Sequence, residues 1–197
     1  MARRVFFSFH YQPDVHRAQV VRNSWVTKPD RETAGFFDAS VFESKKRTSD
    51  DALKRFLNDG LNGSSVTCVL AGSETASRRW VRYELLRSFV EGKGMLAIAI
   101  HGIPNMQRQL ANAGTNPLAR LGGEIKNGTL KFKESDGSNW TWSTDVPSMP
   151  ESSVAYNLGG QTNFTFDRIF PTYNWAANDG YSNLSLWVEA AARAAGR

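Results

Sequence analysis

The sequence predicts an α/β fold in which a doubly wound parallel sheet is covered by helices on both faces. The first hundred residues alternate between short apolar runs and amphipathic helical patterns. The runs are apolar on successive residues, which is typical of strands buried on both faces. Because parallel strands need crossover connections, this alternation indicates a doubly wound sheet. The length of 197 residues fits a single domain, with a core over about 4–103 and a C-terminal elaboration with a final helix over about 104–197.

Each element of the core has its own signal in the sequence. The predicted strands are Val5–Phe9, Gly35–Phe37, Val66–Ala71 and Met95–Ile100. The predicted helices cover about Asp14–Trp25, the residues from Ser49 to about Gly60, and those from Ser77 to about Gly92. Ser49 is a suitable cap because a serine oxygen accepts hydrogen bonds from the free amides of a first helical turn. Glycine, in turn, is the common residue at helix ends.

The second half of the chain has a different pattern. We expect a short helix over Met106–Ala113, a small antiparallel excursion over 124–143, a loop over 147–160, a strand over 163–170 and a helix from about Ser182. Asn127-Gly128 and Asp136-Gly137 are hairpin turn signals. Trp140 and Trp142 alternate along one predicted strand, and core packing is the expected role for both, with an interface patch as the alternative.

The charge balance limits the classes of partner. The chain has a formal charge of +5, and all of the positive excess lies in residues 1–100. An excess of this size suits a small anionic ligand. A nucleic-acid partner is not favoured, because the sequence shows no basic stripe interleaved with exposed aromatic residues.

Cysteine content and hydropathy predict a cytoplasmic protein. Cys68 is the single cysteine, so no intramolecular disulfide can form, as expected in a reducing compartment. The N-terminal residues lack the apolar stretch of a signal peptide, and no run approaches the length of a membrane span. We therefore expect no membrane partner.

Familiar ligand sites of doubly wound sheets are missing from the sequence. Neither a G-x-x-x-x-G-K-[ST] loop nor a G-x-G-x-x-G turn follows the first strand. A phosphoacceptor site would need carboxylates where the chain has Phe9-His10-Tyr11 and Gly72-Ser73. The three histidines share no ligand spacing with Cys68, so we expect no metal site.

The remaining candidates follow the predicted strands, where ligands of doubly wound sheets bind. Phe9, His10 and Tyr11 form an aromatic and imidazole cluster at the end of the first strand. Asp38 follows the second strand and Ser73 follows the third. All five are candidate substrate-binding residues.

The helix after the third strand adds Trp80 and Glu84. These residues are four positions apart and therefore share one helical face. In a flavodoxin-like strand order the first and third strands flank the crevice. Glu84 and the Phe9–Tyr11 segment are thus expected on opposite sides of one cleft.

Several of these residues carry a resemblance to a known family. Three segments resemble the TIR (Toll/interleukin-1 receptor) domain over about residues 4–103, namely Arg4-Val5-Phe6-Phe7-Ser8-Phe9, Gly35-Phe36-Phe37-Asp38 and Trp80-x-x-x-Glu84-Leu85. A closer resemblance, to the TIR-like proteins of the bacterial Thoeris anti-phage defence system, lies in residues 4–11, 21–25, 179–181 and 187–190. Residues 105–175 contribute no motif.

The resemblance implies a flavodoxin-like, TIR-like fold and an activity. TIR enzymes of this kind cleave NAD⁺ at the nicotinamide–ribose bond, and Thoeris members make a cyclic ADP-ribose isomer as a second messenger. Glu84 falls on the catalytic glutamate, Trp80 on the aromatic residue one turn before it, and Asp38 on the acid that ends the second strand. Residues 9–11 fall on the loop that contacts substrate, although His10 stands where some animal members carry a basic residue.

The residue types suit this chemistry. Breaking an N-glycosidic bond builds oxocarbenium character on the ribose, which a carboxylate can stabilise. Cationic nicotinamide is a good leaving group, so one glutamate suffices. Phe9 and Trp80 can stack on nicotinamide or adenine, and the basic excess of the first half can attract the diphosphate.

The resemblance also implies partners. NAD⁺ is expected as the substrate, with no separate cofactor. The expected partners are a downstream effector reached through the diffusible messenger and a phage-derived trigger, with a homo-oligomer as an option. The sequence does not decide between hydrolysis and cyclisation.

Two competing functions and several structural roles stay open. The protein could be a non-catalytic TIR-like module that binds a nucleotide or assembles by homotypic contacts, and a nucleic-acid-binding accessory is the weaker alternative. Glu84 could be a solvated helix residue paired with Arg87, Trp80 could be core, and Asp38 could close a loop.

Overall fold

The described residues build two sheets, and the larger one is the parallel sheet that the sequence predicts. The computed structural model describes residues 3–28, 31–34 and 49–197. The strands are β1 (Arg3–Phe9), β2 (Arg31–Ala34), β3 (Val66–Ala71), β4 (Gly94–Ala99), β5 (Leu121–Lys126), β6 (Thr129–Ser135), β7 (Trp140–Trp142), β8 (Met149–Pro150), β9 (Asn163–Thr165) and β10 (Thr172–Asn174). The helices are α1 (Tyr11–Val26), α2 (Asp50–Leu61), α3 (Arg79–Val90) and α4 (Gly180–Ala194).

The larger sheet has the order β10-β4-β3-β1-β2, and every neighbouring pair in it is parallel. This is the flavodoxin-like order, with the first strand between the second and the third. One apolar cluster joins α1 and α4 to one face of the sheet, and another joins α2 and α3 to the opposite face. The predicted doubly wound, flavodoxin-like α/β fold is confirmed.

Most core elements begin and end close to their predicted bounds. Ser49 caps α2 as expected, because its side-chain oxygen accepts a hydrogen bond from the amide of Ala52. A 3₁₀ turn over Thr75–Ser77 leads into α3. The structure's second strand is β2, whereas the predicted strand Gly35–Phe37 lies outside the described residues.

The second half forms a smaller antiparallel sheet of order β7-β6-β5-β9, and β8 also pairs with β6. The predicted Asn127-Gly128 hairpin turn is confirmed, since both residues have the positive φ that such a turn requires. The chain then returns to the larger sheet, where β10 pairs with β4. The elaboration is therefore inserted in the sequence between β4 and β10, which are neighbouring strands of the parallel sheet.

Two predictions for the second half are wrong. The segment Met106–Ala113 is not helical, because the side chain of Asn105 accepts hydrogen bonds from the amides of Gln107 and Gln109 and holds the backbone in a local turn. The strand predicted over 163–170 ends at Thr165, where a 3₁₀ turn over Phe166–Arg168 begins.

The expected core packing of Trp140 and Trp142 is also wrong. The two side chains are 44% and 53% exposed. The inner face of the smaller sheet is already filled by buried apolar residues of its other strands, among them Leu130, Phe132 and Phe164.

An aromatic cluster joins the two sheets through α3. The Phe89 ring stacks on Phe166 at 4.8 Å between centroids and contacts Phe132 edge-on at 5.6 Å. Tyr156 lies against the same ring at 4.6 Å. One buried cluster therefore extends from the parallel sheet across α3 to the smaller sheet.

We expect Phe89→Ala to lower the free energy of unfolding by about 3–5 kcal/mol, because it removes the central ring of a packed cluster. Denaturant unfolding followed by circular dichroism measures the change. Leu186→Ala is the matched control, since Leu186 is 64% exposed on α4 and should change stability by less than about 0.5 kcal/mol. Equal losses in both variants would contradict the central role of Phe89.

Candidate active site

The candidate site lies at the carboxyl ends of β1 and β3. These strands are neighbours, and Phe9 pairs in register with Leu70. The segments that follow them therefore leave the sheet side by side. Nδ1 of His10, after β1, lies 3.9 Å from a carboxylate oxygen of Glu74, after β3.

Glu84 is placed beside this edge by α3. Its side chain is buried, and the hydroxyl of Ser8 donates a hydrogen bond to Oε2 at 2.5 Å. Ser8 is itself buried as the penultimate residue of β1. The backbone carbonyl of Glu84 accepts a further hydrogen bond from Ser88. The carboxyl group is therefore tied to the first strand and is not a solvated surface group.

The surroundings of Glu84 change its acidity. Burial raises the pKa of Glu84 from an ordinary value of 4.5 to about 8, while the hydrogen bond from Ser8 acts in the opposite direction. Desolvation is the larger effect, because a carboxylate loses its hydration when it is enclosed by apolar groups. A buried acid with a strongly shifted pKa near the carboxyl ends of sheet strands is a candidate for a functional residue.

Phe9, His10 and Tyr11 stay together at the end of β1, as predicted. Phe9 ends the strand, His10 precedes α1 and Tyr11 begins it. The rings of Phe9 and Tyr11 stack with 6.0 Å between centroids. Phe9 packs against the cluster on the α1 side of the sheet, whereas Glu84 comes from the α3 side. The two candidates thus approach the carboxyl ends of the strands from opposite faces of the sheet, and their placement on opposite sides of one cleft stays a prediction.

The other candidates differ in their settings. Trp80 is half-buried against the core, with the guanidinium of Arg79 4.5 Å from its ring centroid. Ser73 is exposed beyond the end of β3. Asp38 lies outside the described residues. The structure therefore brings the β1 residues to the segment after β3, and it leaves substrate contact by Trp80, Ser73 and Asp38 as a prediction.

A second buried polar group shapes this edge and was not assigned a role from the sequence. Arg17 is only 5% exposed and donates hydrogen bonds to the carbonyls of Ile103 and Gln109. It thereby ties the segment after β4 to α1. Asp14 lies beside it, 3.7 Å from the guanidinium, and burial raises its pKa. Their i, i+3 spacing on the predicted first helix was the available signal.

Close backbone contact also requires small residues here. A Cβ on Gly72 would lie 1.9 Å from the Asp14 carboxylate, and one on Gly114 would lie 2.0 Å from the Gly72 carbonyl. The start of α1, the segment after β3 and the segment around Gly114 therefore pack together at the carboxyl ends of the strands, without room for further side chains.

Ser8 is the most important residue that sequence reasoning left without a role. Its hydroxyl lies within a run of apolar residues on a buried strand, and a buried hydroxyl needs a hydrogen-bond partner. That requirement was a usable signal, although it did not identify Glu84 as the partner.

The described residues place limits on other kinds of site. Across residues 3–28, 31–34 and 49–197, no three histidine, cysteine, aspartate or glutamate side chains gather as metal ligands would. Among the helices in those ranges, none combines the length and apolar character needed to span a membrane.

The flavodoxin-like sheet and the buried Glu84 one helical turn after Trp80 agree with the TIR-like domain that the sequence resembles. The family model for the TIR-like domain of the Thoeris protein ThsB matches residues 6–105. A protein of Bacillus cereus (strain MSX-D12), named "Putative cyclic ADP-D-ribose synthase ThsB1", is 42% identical over 192 residues, which cover 95% of this chain and 100% of that relative. The chain belongs to the ThsB family of Thoeris TIR-like proteins.

The shifted pKa of Glu84 predicts a difference in stability between the wild type and Glu84→Gln. The folded protein holds this proton up to about pH 8, whereas the unfolded chain loses it near 4.5. Wild-type stability should therefore fall as the pH rises between these values, by up to about 1.4 kcal/mol per pH unit from this group. The glutamine variant lacks that contribution.

Urea unfolding of both proteins at pH 5, 6, 7, 8 and 9 measures the difference, with the pH values spanning the window between the two pKa values. We expect the free energy of unfolding of Glu84→Gln, relative to that of the wild type, to increase with pH up to about pH 8. Above pH 8 the difference between the two proteins should stay constant. Parallel stability curves across this range would contradict a neutral Glu84 in the folded state.

Proposed function

We propose that this protein consumes NAD⁺, cleaves its nicotinamide–ribose bond and releases a cyclic ADP-ribose-type second messenger. The observation that carries the proposal is the buried Glu84 carboxyl, held by Ser8 at the carboxyl end of β1. Family membership and the name of the Bacillus relative support the same activity. NAD⁺ is the substrate, and we propose that no separate cofactor takes part.

Bond cleavage needs a group that stabilises positive charge on the ribose. As the C1′–N bond breaks, its electron pair leaves with nicotinamide, which becomes neutral, and the ribose gains oxocarbenium character. The Glu84 carboxylate favours this state electrostatically and can accept hydrogen bonds from ribose hydroxyls. The low dielectric around a buried carboxylate strengthens the attraction.

The pKa of Glu84 fits a substrate that is itself a cation. At pH 7 a carboxyl group with a pKa of about 8 is mostly neutral in the free protein. The positive nicotinamide ring of bound NAD⁺ favours the ionised form and lowers that pKa. Ser8 acts in the same direction by donating to the carboxylate. Substrate binding thus prepares the charge that the reaction uses.

The fate of the ribose cation defines the product. In cyclisation a nucleophilic atom of the same ADP-ribose attacks C1′ and loses its proton, so the product is a cyclic ADP-ribose that contains one water fewer than ADP-ribose. In hydrolysis water attacks instead. Cyclisation requires the cation to be screened from water, and the segment that Arg17 ties to the strand edge is suited to provide part of that screen.

The remaining contacts follow from the same edge. We propose that Phe9, His10, Tyr11 and Ser73 line the substrate, and that Trp80 and Asp38 complete the site. The messenger would then activate a separate effector in response to a phage-derived trigger inside the cell. Self-association of the protein is compatible with this scheme.

Glu84→Gln tests the proposal directly, because it keeps the shape of the side chain and removes its charge. We expect the product to fall by at least about a hundredfold. Mass spectrometry of small molecules from phage-infected cells that produce wild-type or variant protein measures nicotinamide, ADP-ribose and cyclic ADP-ribose isomers. Glu151→Gln, an exposed glutamate of the elaboration, is the control and should retain full activity.

Two outcomes would oppose this function. Undiminished product in Glu84→Gln, at equal protein levels, would remove Glu84 from the chemistry. Protection against phage without any NAD⁺-derived product, in cells with wild-type protein, would favour the non-catalytic module.

Ser8→Ala tests how the carboxylate is kept available. Loss of the hydroxyl removes a hydrogen bond that favours the ionised form, so the pKa of Glu84 rises further. We expect the acid limb of the kcat/KM profile to lie near pH 8 in the wild type and to move up by about one pH unit in the variant. Activity near pH 7 should then fall by about tenfold.

The matched control is Ser64→Ala, which removes a buried hydroxyl that donates to the Leu61 carbonyl away from the strand edge. It should leave the profile in place even if it lowers stability. A Ser8→Ala profile with the wild-type pH dependence would show that the hydroxyl does not act through Glu84.

A further inference from the structure

The outer face of the smaller sheet displays basic and indole side chains together. Alternation along the strands sends Leu130 and Phe132 inward to the core, and their neighbours Lys131 and Lys133 outward. Lys133 pairs in register with Trp142 on β7, and both tryptophans of that strand are exposed. We call the set of Lys126, Lys131, Lys133, Trp140 and Trp142 the Trp/Lys face.

The charge of this face is concentrated. Lys126 and Lys131 are exposed, whereas Lys133 is half-buried and its ammonium group donates a hydrogen bond to Oδ1 of Asn163. Its three lysines are all the lysines of residues 101–197, a half whose overall charge is balanced. Across the described ranges 3–28, 31–34 and 49–197, no carboxylate forms an ion pair with any of the three. Glu124, opposite Lys131 on β5, is the carboxylate that the strand alternation adds to the face.

The lysines also order the indole rings. The ammonium group of Lys133 lies 5.1 Å from the Trp140 ring centroid, and that of Lys131 lies 5.9 Å from the centroid of Trp142. Each pair thus presents a flat aromatic surface next to a positive charge, and the two pairs repeat along one strand direction.

We propose that the Trp/Lys face binds single-stranded nucleic acid. Bases that are not stacked in a duplex can stack on exposed indoles whatever their identity, and ammonium groups can contact the phosphates between them. The two tryptophans are two residues apart on a strand, which separates them by about 7 Å. That spacing accommodates two successive bases of an extended strand, each on its own ring.

The shape of the face favours a polymer over a free nucleotide. Small ligands bind in enclosed pockets that bury most of their surface. Here the groove beside Trp142 is open to solvent and is lined by Glu124, Lys126, Asn127, Thr129, Lys131 and Trp142. A polymer gains affinity by contacting this groove and the adjoining Trp140–Lys133 pair at once.

An acidic protein partner is less well matched to the same residues. Lysines are depleted from the centres of protein–protein interfaces, although tryptophans are enriched there. On this face each exposed tryptophan has a lysine beside it, so the centre itself is charged. Alternating charge and aromatic surface is instead the arrangement that single-strand binding uses.

The structure thereby corrects the basis on which the sequence disfavoured nucleic acid. Lys126 lies on β5, Lys131 and Lys133 lie on β6, and the tryptophans follow several residues later on β7. Only antiparallel pairing brings them onto one surface. The face lies on the side of the smaller sheet away from α3 and uses no residue of the proposed catalytic site.

Fluorescence anisotropy with a labelled oligothymidine of about 20 nucleotides tests the proposal on the full chain. We expect Trp140→Ala with Trp142→Ala to weaken binding at least tenfold, and Trp140→Phe with Trp142→Phe to retain most of it because a phenyl ring still stacks. Tyr181→Ala with Leu186→Ala, two exposed apolar residues of α4, is the matched control and should leave Kd unchanged.

Salt dependence supplies an independent measurement. Three lysine–phosphate contacts predict a slope of log K against log salt of about −2, and Lys131→Ala or Lys133→Ala should each reduce it by about 0.7. Circular dichroism of every variant confirms folding.

Several results would overturn the proposal. They are no binding to oligothymidine by folded wild type, full displacement by NAD⁺ at concentrations comparable to the oligonucleotide, and equally tight binding of polyglutamate that Lys131→Ala or Lys133→Ala weakens and the tryptophan changes do not. The last two would assign the face to a free dinucleotide and to an acidic protein, respectively. Glu84→Gln should abolish messenger synthesis and leave oligothymidine binding unchanged. The two proposals can therefore be rejected independently.

Discussion

The packing of α3 between the two sheets is the constraint on which the site depends. Phe89 fixes the carboxyl-terminal half of this helix within an aromatic cluster that includes Phe132 and Phe166. Glu84 lies a little more than one turn earlier on the same helix. Because a helix is stiff over this distance, packing on one side of the protein determines where the carboxyl group meets β1. The smaller sheet therefore supports the geometry of the candidate site through its packing against α3.

The contact between Ser8 and Glu84 shows two opposing effects on one buried carboxyl group. A carboxyl enclosed by apolar neighbours is held in its neutral form, and a single hydroxyl only partly opposes this effect. In the proposed mechanism a cationic substrate favours the ionised carboxylate, which burial in the free protein disfavours. Under this proposal the free protein keeps its acid uncharged, and the ligand itself creates the reactive state. Selectivity for positively charged nicotinamide over its neutral reduced form follows from the same electrostatics.

The sequence predicted the parallel sheet, its helices and the position of Glu84 well, because these depend on local apolar patterns and on a short spacing along one helix. It did not predict that Ser8 contacts Glu84, since that contact joins residues 76 positions apart. The helix predicted over Met106–Ala113 does not form, because the side-chain oxygen of Asn105 accepts hydrogen bonds from the backbone amides of Gln107 and Gln109. The exposure of Trp140 was missed because a period of two gives no information about which face points inward.

The return of the chain to β10 has a consequence for how the protein is made. Ala97 of β4 pairs with Thr172, so one edge of the parallel sheet is completed only after the smaller sheet has been synthesised. Until then the growing chain exposes the hydrogen-bonding groups of β4 and the apolar surface that α4 later covers. Such late, long-range closure slows folding and exposes the nascent chain to aggregation. The protein should rely on chaperones during synthesis more than a sheet closed by consecutive strands would.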